Sequence, residues 1–132
     1  MQFNKLIPEL SVSDLNKSLD FYRKIGFKIE YERIEKKFVF LSFQGSQIML
    51  DEGNENENSP WYTGPLEYPR GRGIHFQFEV DSINQILEKL KEINWPIKVE
   101  PKIYEFKQKE KIIRMKGFLV MDPDGYLLMF NE

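Results

Sequence analysis

The chain has one histidine, His75, and no cysteine among its 132 residues. His75 is the only side chain whose ordinary pKa, about 6.5, suits proton transfer at neutral pH. Thiol nucleophiles, thiolate metal sites and a disulfide framework are excluded. No nucleophile–base pair stands out beside the single histidine, so a Ser-His-Asp arrangement is not supported and no catalytic residue is assigned. The remaining chemistry rests on carboxylates. Glu79 follows His75 by four residues, an even spacing that puts both on one face of an alternating strand. Glu9 and Asp51 occupy the matching face of the earlier half. These groups suit either a cationic ligand or, as the rival reading, acid–base chemistry or a metal site assembled from His75, Glu9, Glu79 and Asp51. Phe38, Trp61, Tyr62, Tyr104 and Phe118, with Met49 and Met129, are the residue types that line a pocket for a planar small molecule.

A duplicated unit positions these residues. Val12-Ser-Asp-Leu-Asn-Lys-Ser-Leu aligns with Val80-Asp-Ser-Ile-Asn-Gln-Ile-Leu at an offset of 80 − 12 = 68 residues. Two copies mean a duplicated half-domain, since a repeat array needs three or more. Each copy reads βαβββ. Residues 3–12 alternate, with Leu6, Pro8, Leu10 and Val12 toward a core and Ile7, Glu9 and Ser11 away from it. Pro8 cannot donate to a ladder, which sends this strand to an edge. Ser13 or Asp14 caps a helix buried through Leu15, Leu19, Tyr22 and Ile25, and Gly26 ends it. Strands near 27–33, 37–43 and 46–51 follow. The second copy has a strand at 73–80 and a helix capped by Asp81 and buried through Ile83, Ile86, Leu87, Leu90 and Ile93. Strands near 97–105, 113–121 and 126–131 complete it, with a turn at Asp122-Pro-Asp-Gly125.

Near the end of each copy the offset changes. Gly45 aligns with Gly125 and Met49 with Met129, a shift of 80, so the second half carries 80 − 68 = 12 extra residues around 102–113. That insertion is either a charged, solvated hairpin or a lid carrying Tyr104 and Phe106. The expected organisation is a single α+β domain of two tandem βαβββ half-units, 1–51 and 71–132, whose sheets form a concave cleft. Residues 52–70 are the linker loop. Its acidic part reads as solvated, while Trp61 and Tyr62 must either tuck against the core or line a site. With a helix over one face of each sheet, the opposite face pairs Ile7 with His75, Glu9 with Gln77, Ser11 with Glu79, Met49 with Met129 and Asp51 with Asn131. Phe38 and Phe40, with Phe118 and Val120, are expected on that same face.

Composition bounds the partners. The chain is 41% hydrophobic and 30% charged, the balance of a globular domain. A net charge of −2 offers no electrostatic footing for nucleic acid and is mildly compatible with a cationic ligand. No apolar targeting segment or membrane-length stretch is seen, so the expected location is the cytoplasm.

The βαβββ duplication, the segments Leu10-Ser-Val-Ser-Asp-Leu15 and Leu19-Asp-Phe-Tyr-Arg-Lys-Ile-Gly-Phe27, and Asp122-Pro-Asp-Gly-Tyr126 together resemble the glyoxalase/bleomycin-resistance/dioxygenase superfamily. Its fold is the vicinal oxygen chelate fold, and the resemblance covers nearly the whole chain. Enzymes of that superfamily bind a divalent metal through the first and last strands of each unit, positions that fall here on Ile7, Met49, His75 and Met129. Only His75 is an ordinary ligand for such a metal. The resemblance therefore implies the branch without metal or cofactor: bacterial bleomycin-resistance proteins, homodimers that sequester a cationic glycopeptide antibiotic. On this reading Phe38, Met49, Trp61, Tyr62, His75 and Tyr104 contact the ligand together with Phe118 and Met129, and Glu9 and Glu79 face its positive charge. One stretch departs from the pattern. Bleomycin binders carry a Trp-Gly-x-Arg-Glu-Phe-like segment where this chain has Ile113-Arg-Met-Lys-Gly-Phe118, with Ile113 in place of the Trp. An enzyme of the same fold, of lyase, isomerase or dioxygenase type, and a degenerate member retained for protein interaction are the other readings.

Overall fold

The structure, a computed structural model, describes residues 2–132. In the first half the order is β1 (Glu9–Ser11), α1 (Leu15–Lys24), β2 (Lys28–Arg33), β3 (Phe38–Phe43) and β4 (Ser46–Asp51). The second half repeats it as β5 (His75–Glu79), α2 (Ile83–Glu92), β6 (Val99–Gln108), β7 (Lys111–Met121) and β8 (Leu127–Asn131). The sheets run β1-β4-β3-β2 and β5-β8-β7-β6. β1 lies parallel to β4 and β5 to β8, while the other pairs are antiparallel. A parallel pair cannot be closed by a hairpin, so the helix and two further strands form the crossover in each copy. Two compact units result. One extends to Arg70 and takes in Pro123–Gly125; the other comprises Gly71–Asp122 and Tyr126–Glu132.

The helices form for local reasons and are held by burial. Asp14 is the N-cap of α1, its carboxylate accepting the Lys17 N–H at 3.1 Å. The buried stripe is Ser18, Phe21, Tyr22 and Ile25, with Leu15 and Leu19 half-buried. In α2 the cap falls on Ser82, not on the expected Asp81, and the Ser82 side chain makes no cap hydrogen bond. The Ile83 N–H finds its acceptor in the Glu132 carboxylate (3.3 Å), so a long-range partner replaces the local one.

The first strand is shorter than the alternation over 3–12 suggests. The Pro8 carbonyl accepts from Met49 N–H at 2.9 Å, but Pro8 has no N–H to extend the ladder, and Leu6 is 79% exposed. Residues 2–4 are tied instead through a side chain. Gln47 Oε1 accepts from Asn4 N–H, and Gln47 Nε2 donates to the Gln2 carbonyl, both at 2.7 Å. β1 is an edge strand, as Pro8 requires.

The pairing of β7 overturns one expectation. Phe118 lies opposite Phe130 and Val120 opposite Leu128, all four fully buried on the helix-covered face. Phe118 stacks on Phe130 with ring centroids 5.7 Å apart. The open face carries Gly117, Leu119 and Met121, which oppose Asn131, Met129 and Leu127. The cause is turn length. Ser42 pairs with Gln47, five positions on, whereas Met121 pairs with Leu127, six positions on. That extra residue in Asp122–Tyr126 reverses the side-chain parity of β7 relative to β3.

The 52–70 segment is more built than a linker. Asn54, Asn56 and Ser59 bond one another in successive turns, and Arg70 is 8% exposed. Arg70 donates to the Ser11 carbonyl at 3.0 Å and ion-pairs with Glu55 and with Asp124 (3.9 Å). Asp124 also accepts from Ser13, N–H at 3.0 Å and Oγ–H at 2.5 Å. Gly125, at φ +87°, completes this corner: a Cβ there would lie 2.5 Å from Pro69 Cα.

Candidate functional site

The helix-free face of the first sheet is built in rows. Glu9, Met49, Phe40 and Tyr31 lie side by side across the four strands; Ser11, Asp51, Phe38 and Arg33 form the next row. Tyr31 and Arg33 reach this face because a bulge between Ile29 and Tyr31 reverses the parity of β2, so simple alternation missed them. Tyr31 stacks on Phe40 (5.3 Å, 8°), and Phe3 meets Phe40 edge-on (5.3 Å, 87°). The Arg33 guanidinium lies 4.2 Å from the Phe38 ring centroid, a cation–π contact.

Two carboxylates share this face. Burial raises the Glu9 pKa above its ordinary value and the charge of Asp51 raises it further, with Arg33 opposing both. Burial likewise raises Asp51, against a hydrogen bond from Asn54 and the charge of Arg33. The result is a half-sheltered anionic pair next to an aromatic surface. Its chemical competence is cation and donor recognition.

On the second sheet His75, Gln77 and Glu79 lie beside Leu127, Met129 and Asn131, and all six occupy the helix-free face. His75 is exposed and its Nε2 lies 3.3 Å from Gln77 Oε1. Gln77 Nε2 donates to Met115 Sδ at 3.3 Å. Asn131, 7% exposed, leaves its Oδ1 without a partner. The position opposite it is Gly117, where a Cβ would lie 2.9 Å from the Phe130 carbonyl, so no aromatic can stand there. Tyr104, opposite Met115, extends this face outward, and its ring takes the Lys102 ammonium at 5.0 Å.

The sequence candidates therefore divide. Glu9, Met49 and Phe38 are neighbours on one sheet; His75, Glu79, Met129 and Tyr104 belong to the other, and Phe118 is a core residue. Trp61 is 66% exposed in the loop, with its backbone N–H donating to Ser59 Oγ at 3.2 Å, and Tyr62 is half-buried. A separate cavity of about 470 Å³ opens between the start of α1 and the β2–β3 connection, walled by Leu15, Leu19, Ile34 and Val39. Its polar rim is already engaged: Lys37 pairs with Glu52 (3.8 Å), and Glu52 accepts from the Leu15 N–H (3.3 Å). Strand and helix periodicity carry no sign of this cavity, because Ile34 opens a single 3-10 turn, Ile34–Lys36, too short to show a repeat.

The profile of the Glyoxalase/Bleomycin resistance protein/Dioxygenase superfamily matches residues 6–130. The chain belongs to that superfamily. Solved structures with the same fold include a hypothetical protein from S. aureus, 23% identical with a TM-score of 0.71, over 99% of this chain and 94% of that one. TioX from Micromonospora sp. ML1 is 14% identical with a TM-score of 0.72, over 98% of each chain. A glyoxalase/bleomycin resistance protein/dioxygenase from Alicyclobacillus acidocaldarius is 21% identical with a TM-score of 0.63, over 97% of this chain and 89% of that one. No curated protein matches the chain.

The superfamily's metal can be tested against the side chains present. Ile7, Met49 and Met129 offer an alkyl group and two thioethers where a divalent ion needs imidazole or carboxylate. Among the described residues no group of three or more His, Asp or Glu side chains is placed to hold a metal ion. At those positions the donor set does not fit that metal. Among the described residues no helix is long and apolar enough to cross a membrane.

Proposed function

We propose that the protein is a metal-independent small-molecule binder of the superfamily, a bacterial cytoplasmic homodimer that sequesters a cationic, partly planar antibiotic of the bleomycin type. The observation that carries this reading is the open face of the first sheet, where a cation already rests on an aromatic ring in the same row as one of two carboxylates of raised pKa. A ligand cation entering there relieves the repulsion between Glu9 and Asp51 and takes over the place of Arg33. The unpartnered Asn131 Oδ1 supports the same class of ligand, since it asks for a donor. Trp61, large and exposed in its loop, supplies stacking area. The edge position of β1 supports assembly with a second copy.

Calorimetry with bleomycin or phleomycin tests this. Binding should be measurable, should strengthen as pH rises through the range in which Glu9 and Asp51 ionise, and should release protons in that range. Trp61→Ala should weaken it about fivefold to a hundredfold, the value of one stacking contact at roughly 1–3 kcal/mol. Elemental analysis of dialysed protein should find no stoichiometric transition metal. Absence of any heat with both drugs refutes the antibiotic; a one-to-one metal lost in His75→Ala refutes the metal-independent reading.

A further inference from the structure

The extra residues of the second half build an arm. β8 pairs with β7 only as far as Gly117, opposite Asn131, with one more pair of backbone bonds between Lys116 and Glu132 (2.9 and 3.3 Å). Beyond that point residues 102–116 continue as a two-stranded ribbon, with no third strand beside it among the described residues. Isolated ribbons of this kind are marginally stable in water. One face of the ribbon is apolar: Tyr104 opposes Met115 and Phe106 opposes Ile113. The chain itself leaves Phe106 49% and Ile113 42% exposed. The reverse face is mixed: it holds the Glu105–Arg114 ion pair at 2.9 Å, with Ile103 and Ile112, each 64% exposed, set opposite Lys116 and Lys107.

Charge is segregated as well. The ribbon holds Lys102, Lys107, Lys109, Lys111, Arg114 and Lys116 against Glu105 and Glu110, a net of +4. The whole chain is −2, so the rest of it carries −2 − 4 = −6. An arm of this charge repels another arm and attracts the body of another molecule.

We propose that the ribbon is an exchanged arm, whose Tyr104, Phe106, Ile113 and Met115 face lies on a second copy of the chain while that copy returns its own arm. This deepens the homodimer reading above by naming the surface that forms it. The charge arithmetic selects the occupant: a second copy supplies −6 of complementary charge, whereas a polyanion attracted by the arm is repelled by the body. The apolar strip is also free of charge between its two cross-strand pairs, which suits a protein surface better than a phosphate backbone. With Tyr104 and Met115 already half-buried, each side chain offers on the order of 65 Å², so two arms withdraw about 500 Å² from water and the surfaces they cover a similar amount, about the lower bound for a specific interface.

Sedimentation equilibrium of the full chain decides the matter. The wild type should be dimeric at micromolar concentration, and its dissociation constant should rise several-fold between about 0.05 and about 0.5 M salt. Phe106→Ser with Ile113→Ser should raise it at least tenfold while circular dichroism remains native. Lys107→Glu with Lys109→Glu and Lys111→Glu should do the same without touching an apolar contact, and it decides alone if the first variant misfolds. A dimer indifferent to both variants overturns the arm and leaves the homodimer standing; a wild-type monomer overturns both. Binding of wild type to phosphatidylserine vesicles or duplex DNA that the charge variant loses would assign the arm to a polyanion and also overturn the proposal.

Discussion

Replacing Arg70 with Met should loosen the corner that fastens the Trp61 loop to the first unit. The Arg70 side chain is 7% exposed and so is that of Asp124, with the ions 3.9 Å apart. At an effective dielectric near 20 such a pair attracts by about 4 kcal/mol before desolvation is counted. Glu55 adds less, since its side chain is 46% exposed and its charge is screened. Removing the guanidinium takes the ion pair from the Asp124 carboxylate, which keeps its two Ser13 bonds, and takes one donor from the Ser11 carbonyl. Breaking a buried pair from one side typically costs 3–5 kcal/mol. Because Asp124 keeps two hydrogen bonds from Ser13, the lower end is expected, about 3 kcal/mol out of a total stability of about 5–15 kcal/mol. Urea unfolding should show the midpoint falling with an unchanged slope. Asp124→Asn in the same background should cost clearly less than it does alone, which a double-mutant cycle reads as coupling above about 1 kcal/mol. A loss under 0.5 kcal/mol for Arg70→Met, or strict additivity with Asp124→Asn, would refute the account of Arg70 as the fastening of the loop.

Glu9 and Asp51 carry a pH prediction of definite sign. Folding raises both pKa values, so the native state binds these protons more tightly than the unfolded chain, and stability falls as pH climbs from the ordinary carboxylate range, about 4, through the raised values. Asp51→Asn should therefore be at least as stable as wild type at neutral pH, with the gap closing in acid, in urea titrations at several pH values. Phe118→Ala should cost about 3–5 kcal/mol by opening a cavity against Phe130, whereas Trp61→Ala should leave the urea midpoint almost unmoved because the indole is largely exposed. The reverse ranking would show that the side-chain parity of β7 is misassigned.

The element order was readable from the sequence because periodicity, caps and the internal repeat all agreed. Hydrophobic alternation at the second copy's first strand and the helical stripe Ile83, Ile86 and Leu90 were unambiguous; the stripe, Phe78 and Val80 reappear as buried positions, while Ile74 at the strand's start is 53% exposed. What failed was parity, and it failed where one residue was inserted. The offset of 80 that correctly aligns Met49 with Met129 was carried backward through a turn one residue longer than its counterpart, and so exchanged Phe118 for Gly117 on the open face. The bulges in β2 and β6 are invisible for the same reason: one extra residue leaves composition unchanged and turns every later side chain over. Asp81 was a sound cap by type, but the cap falls one residue later, and the first helical N–H bonds Glu132, a partner 49 residues from Ile83 that no local pattern announces.

That single-residue difference also separates the chemistry of the two sheets. With the shorter turn, β3 offers Phe38 and Phe40 to its open face, and the bulge in β2 adds Tyr31 and Arg33 beside them. With the longer turn, β7 offers Gly117, Leu119 and Met121, and the polar groups come from His75, Gln77, Glu79 and Asn131 instead. A duplication that began as two equal faces has become an aromatic, anionic surface on one unit and a small-residue, thioether and amide surface on the other. Flat rings stack on rigid aromatic area while amides and hydroxyls need separately placed acceptors, so the two faces offer different recognition chemistry. The same asymmetry bears on metal chemistry. A divalent ion shared between equivalent strands needs matched imidazole or carboxylate donors, and Met49 and Met129, which did stay equivalent, are matched only in being thioethers.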